Sequence, residues 1–162
     1  MLDPNELKKT LLDDLRVELS EEFDRNFERK GFFSDKWKPR AHDYARGSLL
    51  MQSGAMRRST QGEVSGGGVR FTSSEPYTAL HNEGGKITVT GKMKKFFWAK
   101  FKETGEAGWK YMALMPVGRV IEVPERRFIG DGPETKRIIE TVIKDFCEKF
   151  GLQLSEIIRK TE

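Results

Sequence analysis

Ile-Glu-Val-Pro-Glu-Arg-Arg-Phe-Ile-Gly, residues 121–130, is the stretch on which the reading of the fold turns. Apolar residues at Val117, Val120 or Ile121, and Val123 alternate as in a strand, and Pro124, which has no N–H for a ladder, stops it. Two arginines, an aromatic and a glycine then lead into a helix. It opens at Gly132-Pro133-Glu134 and carries Ile139, Val142, Ile143, Phe146 and Phe150 as one apolar stripe. Nothing in this join calls for a catalytic group.

The opposite end of the chain also reads as a helix. Asp3-Pro4-Asn5-Glu6 supplies an N-cap, a proline at the first helical position and a glutamate placed to reach back to the cap. Leu7, Leu11, Leu15, Leu19, Phe23 and Phe27 then recur at four-residue steps. Arg25, Arg29 and Lys30 suit the negative end of the helix dipole, and Gly31 is the expected C-terminal cap. Such a stripe packs on the chain's own sheet or pairs with a helix of another subunit. Its step is wider than a coiled coil's, which favours the first.

Between the two helices, Trp37-Lys38-Pro39 precedes a short helical stretch at 48–51. Two strands, 57–63 and 68–73, join through Val64-Ser65-Gly66-Gly67, a hairpin-like signal. A helical or irregular turn at 77–82, Glu83-Gly84-Gly85 and a strand at 86–90 continue what reads as a meander. Thr90-Gly91-Lys92-Met93 opens a helical segment with Met93, Phe96, Phe97 and Phe101 on one side. A polar connection at 104–108 follows, and apolar character returns at 111–115 and 119–123. The expectation is one α+β domain over residues 1–162. A mostly antiparallel sheet is packed by a long N-terminal helix and a C-terminal helix, with a helical basic and aromatic insertion between strands at about 90–115.

Composition sets outer bounds. At 162 residues, 36% hydrophobic and 33% charged, the chain has the size of one ordinary domain with a modest core. No apolar run approaches the roughly 20 residues of a membrane span. Residues 1–9 carry acids and no apolar segment, so no secretory signal is expected. The single cysteine, Cys147, leaves no intrachain disulfide or thiolate cluster and reads as a small packed residue beside Phe146 and Phe150. The net charge of +4 is concentrated in residues 31–120, where 15 Lys and Arg face 7 Asp and Glu.

Four motifs occur in a fixed order: Trp37-Lys38-Pro39; Leu50 to Ser59 with Gly54 inside it; Tyr77, His81 and Gly84 in Tyr-Thr-Ala-Leu-His-Asn-Glu-Gly; and Pro124, Arg126, Phe128 and Gly130. Together they resemble the phage virion morphogenesis, or tail-completion, family of tailed bacteriophages and prophages. Arg127 departs from that pattern, standing where a second proline is common. The resemblance implies a structural protein of tail completion or head–tail joining that is not an enzyme and needs no cofactor. Its implied partners are copies of itself in a ring and other tail or head-connector proteins. It implies residence in the bacterial host cytoplasm during assembly and then in the virion.

Direct signals for chemistry are weak. His42-Asp43 and His81-Asn82-Glu83 are adjacent pairs whose side chains diverge, which is a poor ligand geometry. No Gly-x-Ser-x-Gly elbow is present, and Gly66-Gly67-Gly68 lacks the ending of a phosphate loop. His81, one helical turn after Tyr77, either bonds the backbone to fix a turn or serves a subunit contact. Lys92, Lys94, Lys95, Lys100 and Lys102 interleave with Phe96, Phe97, Trp98 and Phe101. That pattern fits a packed helix with a solvated face, a subunit contact, single-stranded nucleic acid or, last, a membrane surface. The candidate interface residues are Phe97, Trp98 and Trp109, followed by Arg126, Arg127 and Phe128. Phe128 has an alternative role as a buried anchor.

Overall fold

The computed structural model describes residues 3–41 and 47–153, so the His42-Asp43 pair lies outside the described residues. Helix α1 (Pro4–Arg29) starts as its sequence dictates, with extended Asp3 accepting the N–H of Asn5 and Pro4 in the first turn. It ends one residue before the expected glycine. Lys30 takes the left-handed cap at φ 53° and donates its N–H to the carbonyl of Asn26. Gly31 is used instead in strand β1 (Gly31–Phe32), where a Cβ would stand 2.5 Å from the Asp35 carbonyl oxygen across the ladder to β2 (Asp35–Lys36). Leu19, Phe23 and Phe27 of the stripe are buried, whereas Leu7, Leu11 and Leu15 are half-buried.

Residues 48–51 form a turn closed by Met51 N–H to Ser48 O (3.0 Å), not the expected helix. The first residues of the expected strand at 57–63 belong to helix α2 (Ala55–Ser59), which buries Met56. Strands β3 (Thr60–Ser65) and β4 (Gly68–Ser73) pair antiparallel through Gly66-Gly67, as that signal predicts. This ribbon lies along α1, with Gly62 against Ser20 and Gly67 near Lys8.

Helix α3 (Thr78–Glu83), strand β5 (Gly85–Thr88), helices α4 (Gly91–Thr104) and α5 (Ala107–Ala113), strand β6 (Val120–Val123) and helix α6 (Pro133–Phe150) complete the chain. The α+β class and the antiparallel pairing hold. The strands nonetheless form three separate ribbons, β1–β2, β3–β4 and β5–β6, where a continuous meander was expected. The Ser73 hydroxyl, bonded to the Glu75 N–H and the Thr78 hydroxyl, turns the chain into α3 and away from the β4 edge. Strand β5 then finds its partner across the insertion in β6.

Two apolar clusters hold the body together, and Ile129 packs against both. Phe27, Trp37, Met56 and Phe128 form one. Leu19, Phe23 and Phe32 form the other, with Ile138 and Ile139 packed on it. This seats the first half of α6 on the second half of α1. Phe97 and Ala113 are buried within the insertion, as is Val89 just before it, and Phe97 stacks on Trp109 at 6.1 Å. Thr90 caps α4 by accepting the Met93 N–H. The apolar stretch read at 111–115 begins as the end of α5, within the helical insertion expected there.

Candidate subunit interface

The 124–130 loop collects all four motifs at one place. Trp37, 8% exposed, donates its indole N–H to the carbonyl of Arg127 (2.6 Å). Asn82 accepts the N–H groups of Phe128 (2.9 Å) and Ile129 (3.1 Å) on one oxygen and donates to the Ile129 carbonyl. From the opposite side Asn26, fully buried, donates to the Phe128 carbonyl and accepts from Phe33 N–H and Arg29. Arg126 is buried, and its guanidinium donates to the carbonyls of Lys38 and Pro39. Burial, then the nearby Arg40 charge, lowers its pKa from the ordinary arginine value. Gly84 closes the cluster at φ 73°, where a Cβ would meet the backbone of Glu125 at 2.8 Å.

His81 serves this loop through its backbone rather than its ring. Its carbonyl accepts the Arg126 N–H (2.9 Å), while ring Nδ1 is buried without a hydrogen-bond partner among the described residues. Burial first, and repulsion from Arg126 second, lowers the imidazole pKa. The turn-fixing side chain is therefore Asn82, the next residue. Tyr77 makes an edge contact with the His81 ring at 6.1 Å. Gly54 precedes α2 in the left-handed region, and Pro124 ends β6 as read from the sequence.

The insertion behaves differently. Helices α4 and α5 pack chiefly on each other, and their outer surface with the following turn and strand exposes Phe96 (52%), Tyr111, Leu114 (62%), Val117 and Val120. Lys92, Lys95, Lys102 and Lys110 are exposed around them, whereas Lys94 and Lys100 are half-buried and Lys100 pairs with Glu103. Trp98 meets Phe101 edge-on and Lys110 sits over the Phe101 ring. Among the described residues no group of His, Cys, Asp and Glu is arranged to hold a metal ion. Among the same residues no helix is long and apolar enough to cross a membrane.

A family model described as the phage virion morphogenesis family matches residues 3–147, which span both the clamped loop and the insertion. The chain belongs to the phage virion morphogenesis family. Its role is therefore in building a phage virion. No curated protein and no solved structure matches the chain.

In this family member the six candidate interface residues divide by burial. Phe97, Arg126 and Phe128 are buried inside the subunit. Trp98 and Trp109 are half-buried, and Arg127 remains exposed, its guanidinium 5.3 Å from the Phe32 ring centre. Phe96, read from sequence as part of the buried side of α4, stays 52% exposed and meets Trp109 only edge-on (6.0 Å), whereas Phe97 stacks on that ring and is buried. Asn26 and Asn82 escaped the sequence reading. The available signal was a polar residue set between Phe23 and Phe27 on an apolar face.

Proposed function

We propose that this protein completes the phage tail or joins it to the head by closing into a ring of identical subunits that also contacts other tail or connector proteins. The observation that carries the reading is the α4–α5 hairpin, which packs mainly on itself and turns Phe96 and Leu114 outward among lysines. Apolar surface rimmed by charge marks a protein contact. Such a role draws on binding energy alone, without catalysis or a cofactor. It places the chain in the host cytoplasm during assembly and afterwards in the virion. Light scattering over a concentration series at two salt levels, with the same samples imaged as particles, tests it: a discrete ring is expected. A monomer at every concentration would reject self-assembly.

A second reading, single-stranded nucleic acid, is favoured by the exposed aromatics Phe96 and Tyr111 beside Lys92, Lys95 and Lys110. It predicts DNA affinity that falls steeply with salt and with neutralisation of Lys92 and Lys95. The half-buried Trp98 and Phe101, turned toward each other, are less suited to stacking on bases. Absence of binding at low salt would remove it.

A further inference from the structure

A ring needs a surface to receive the hairpin, and α1 has one on the side turned away from its core face. Val17 is 45% exposed, and its place on the helix is nearly opposite the buried Leu19. Asp13, Asp14 and Glu21 lie one turn from it, and Glu18 adjoins it. Asp14 and Glu18 are exposed like charges four residues apart, an unfavourable spacing, and neither holds an ion pair within the described residues. Asp13 and Glu21 make only loose, partly exposed pairs with Arg16 (3.4 Å) and Arg25 (3.6 Å). Farther along, Asp24 and Glu28 are already engaged by Arg57.

The hairpin carries the inverse pattern. Phe96 follows Lys92 by one turn of α4, and Leu114 follows Lys110 by one turn at the end of α5. All four side chains are exposed, and Lys95 adjoins Phe96.

We propose that the basic, apolar face of the α4–α5 hairpin in one subunit docks on the acidic face of α1 around Val17 in the next. The inference rests on the ring reading above and names its contact. Charge complementarity selects a second copy of this chain as the occupant, since each copy carries both halves of the match. A hairpin-on-hairpin contact would instead set lysines against lysines. Because two different patches meet, the contact is heterologous, and repeating it closes a ring when the rotation per subunit divides a full turn.

The test uses the full chain in three forms beside the wild type. One carries Asp14→Lys and Glu18→Lys, the second carries Lys92→Glu and Lys95→Glu, and the third carries all four changes. All four positions lie outside the two core clusters, so circular dichroism is expected to show native helix content throughout. At low salt the wild type self-associates, and each single-face variant associates roughly a hundredfold more weakly because like charges now meet. The four-change form regains association, as does an equal mixture of the two single-face variants. If the wild type assembles and both single-face variants assemble equally well, this contact is overturned while the ring reading stands. A wild type that stays monomeric at every concentration overturns the ring reading and this contact with it.

Discussion

Asn82 holds the 128–129 backbone with three hydrogen bonds. Removing them leaves polar groups unpaired beside a phenylalanine that is 0% exposed. Asn82→Ala is expected to cost roughly 2–4 kcal/mol, read as a lower urea midpoint with unchanged slope. His81 supplies a pH signature. Its lowered pKa means that below its ordinary value of 6.5 the unfolded chain takes up a proton that the native imidazole resists. Stability should therefore be complete above pH 6.5 and fall as the pH drops from there toward the native value. Urea midpoints at pH 7.5 and 5.5 are expected to differ in the wild type and to converge in His81→Gln; equal slopes in the two proteins would refute the assignment.

Among the elements, two joins hold the motifs in place by different physics. The turn from α3 into β5 depends on Gly84, whose φ of 73° and approach to the Glu125 backbone leave no room for a side chain. Gly84→Ala should cost about 1–3 kcal/mol, and the melting temperature should show it. The join between α2 and α1 adds ion pairs to the packing of Met56 in the Phe27 cluster, with Arg57 reaching both Asp24 and Glu28 and its pKa held above the ordinary range by those bonds. Both carboxylates are well exposed, so solvent screens the pairs. Arg57→Met is expected to cost no more than about 1 kcal/mol, and that loss should shrink in high salt. A large, salt-independent loss would show that the Arg57 stem, rather than its charge, matters there.

For the molecule as a whole, the two core clusters draw on α1, α2, β4, α6, the β1–β2 region and the 124–130 loop, while the buried Phe97 of the insertion stacks on Trp109 of the same insertion. Replacing residues 91–117 by a short Gly-Ser turn should therefore leave a cooperatively folding body and abolish self-association. Loss of cooperative melting in that variant would mean that the body depends on the hairpin. Much of this plan is legible in the order of residues alone. The caps at Asp3 and Thr90, the four-residue stripe of α1, the Gly66-Gly67 turn and the Pro124 stop are local signals, and each produced the element it predicts.

The chain's residues, read in order, are enough to dictate the two long helices, the β3–β4 turn, the stop of β6 and the family, because helix periodicity, capping and turn chemistry act over a few residues and the motifs lie in order along the chain. Tertiary packing was needed to establish that the strands form three ribbons and that Phe97 is covered while Phe96 faces outward. It was needed, too, to show that Asn26 and Asn82 clamp one loop from helices 56 positions apart. Those outcomes depend on which surfaces meet across long stretches of chain. Neighbouring aromatics of equal hydrophobicity are separated only by the geometry of what packs against them.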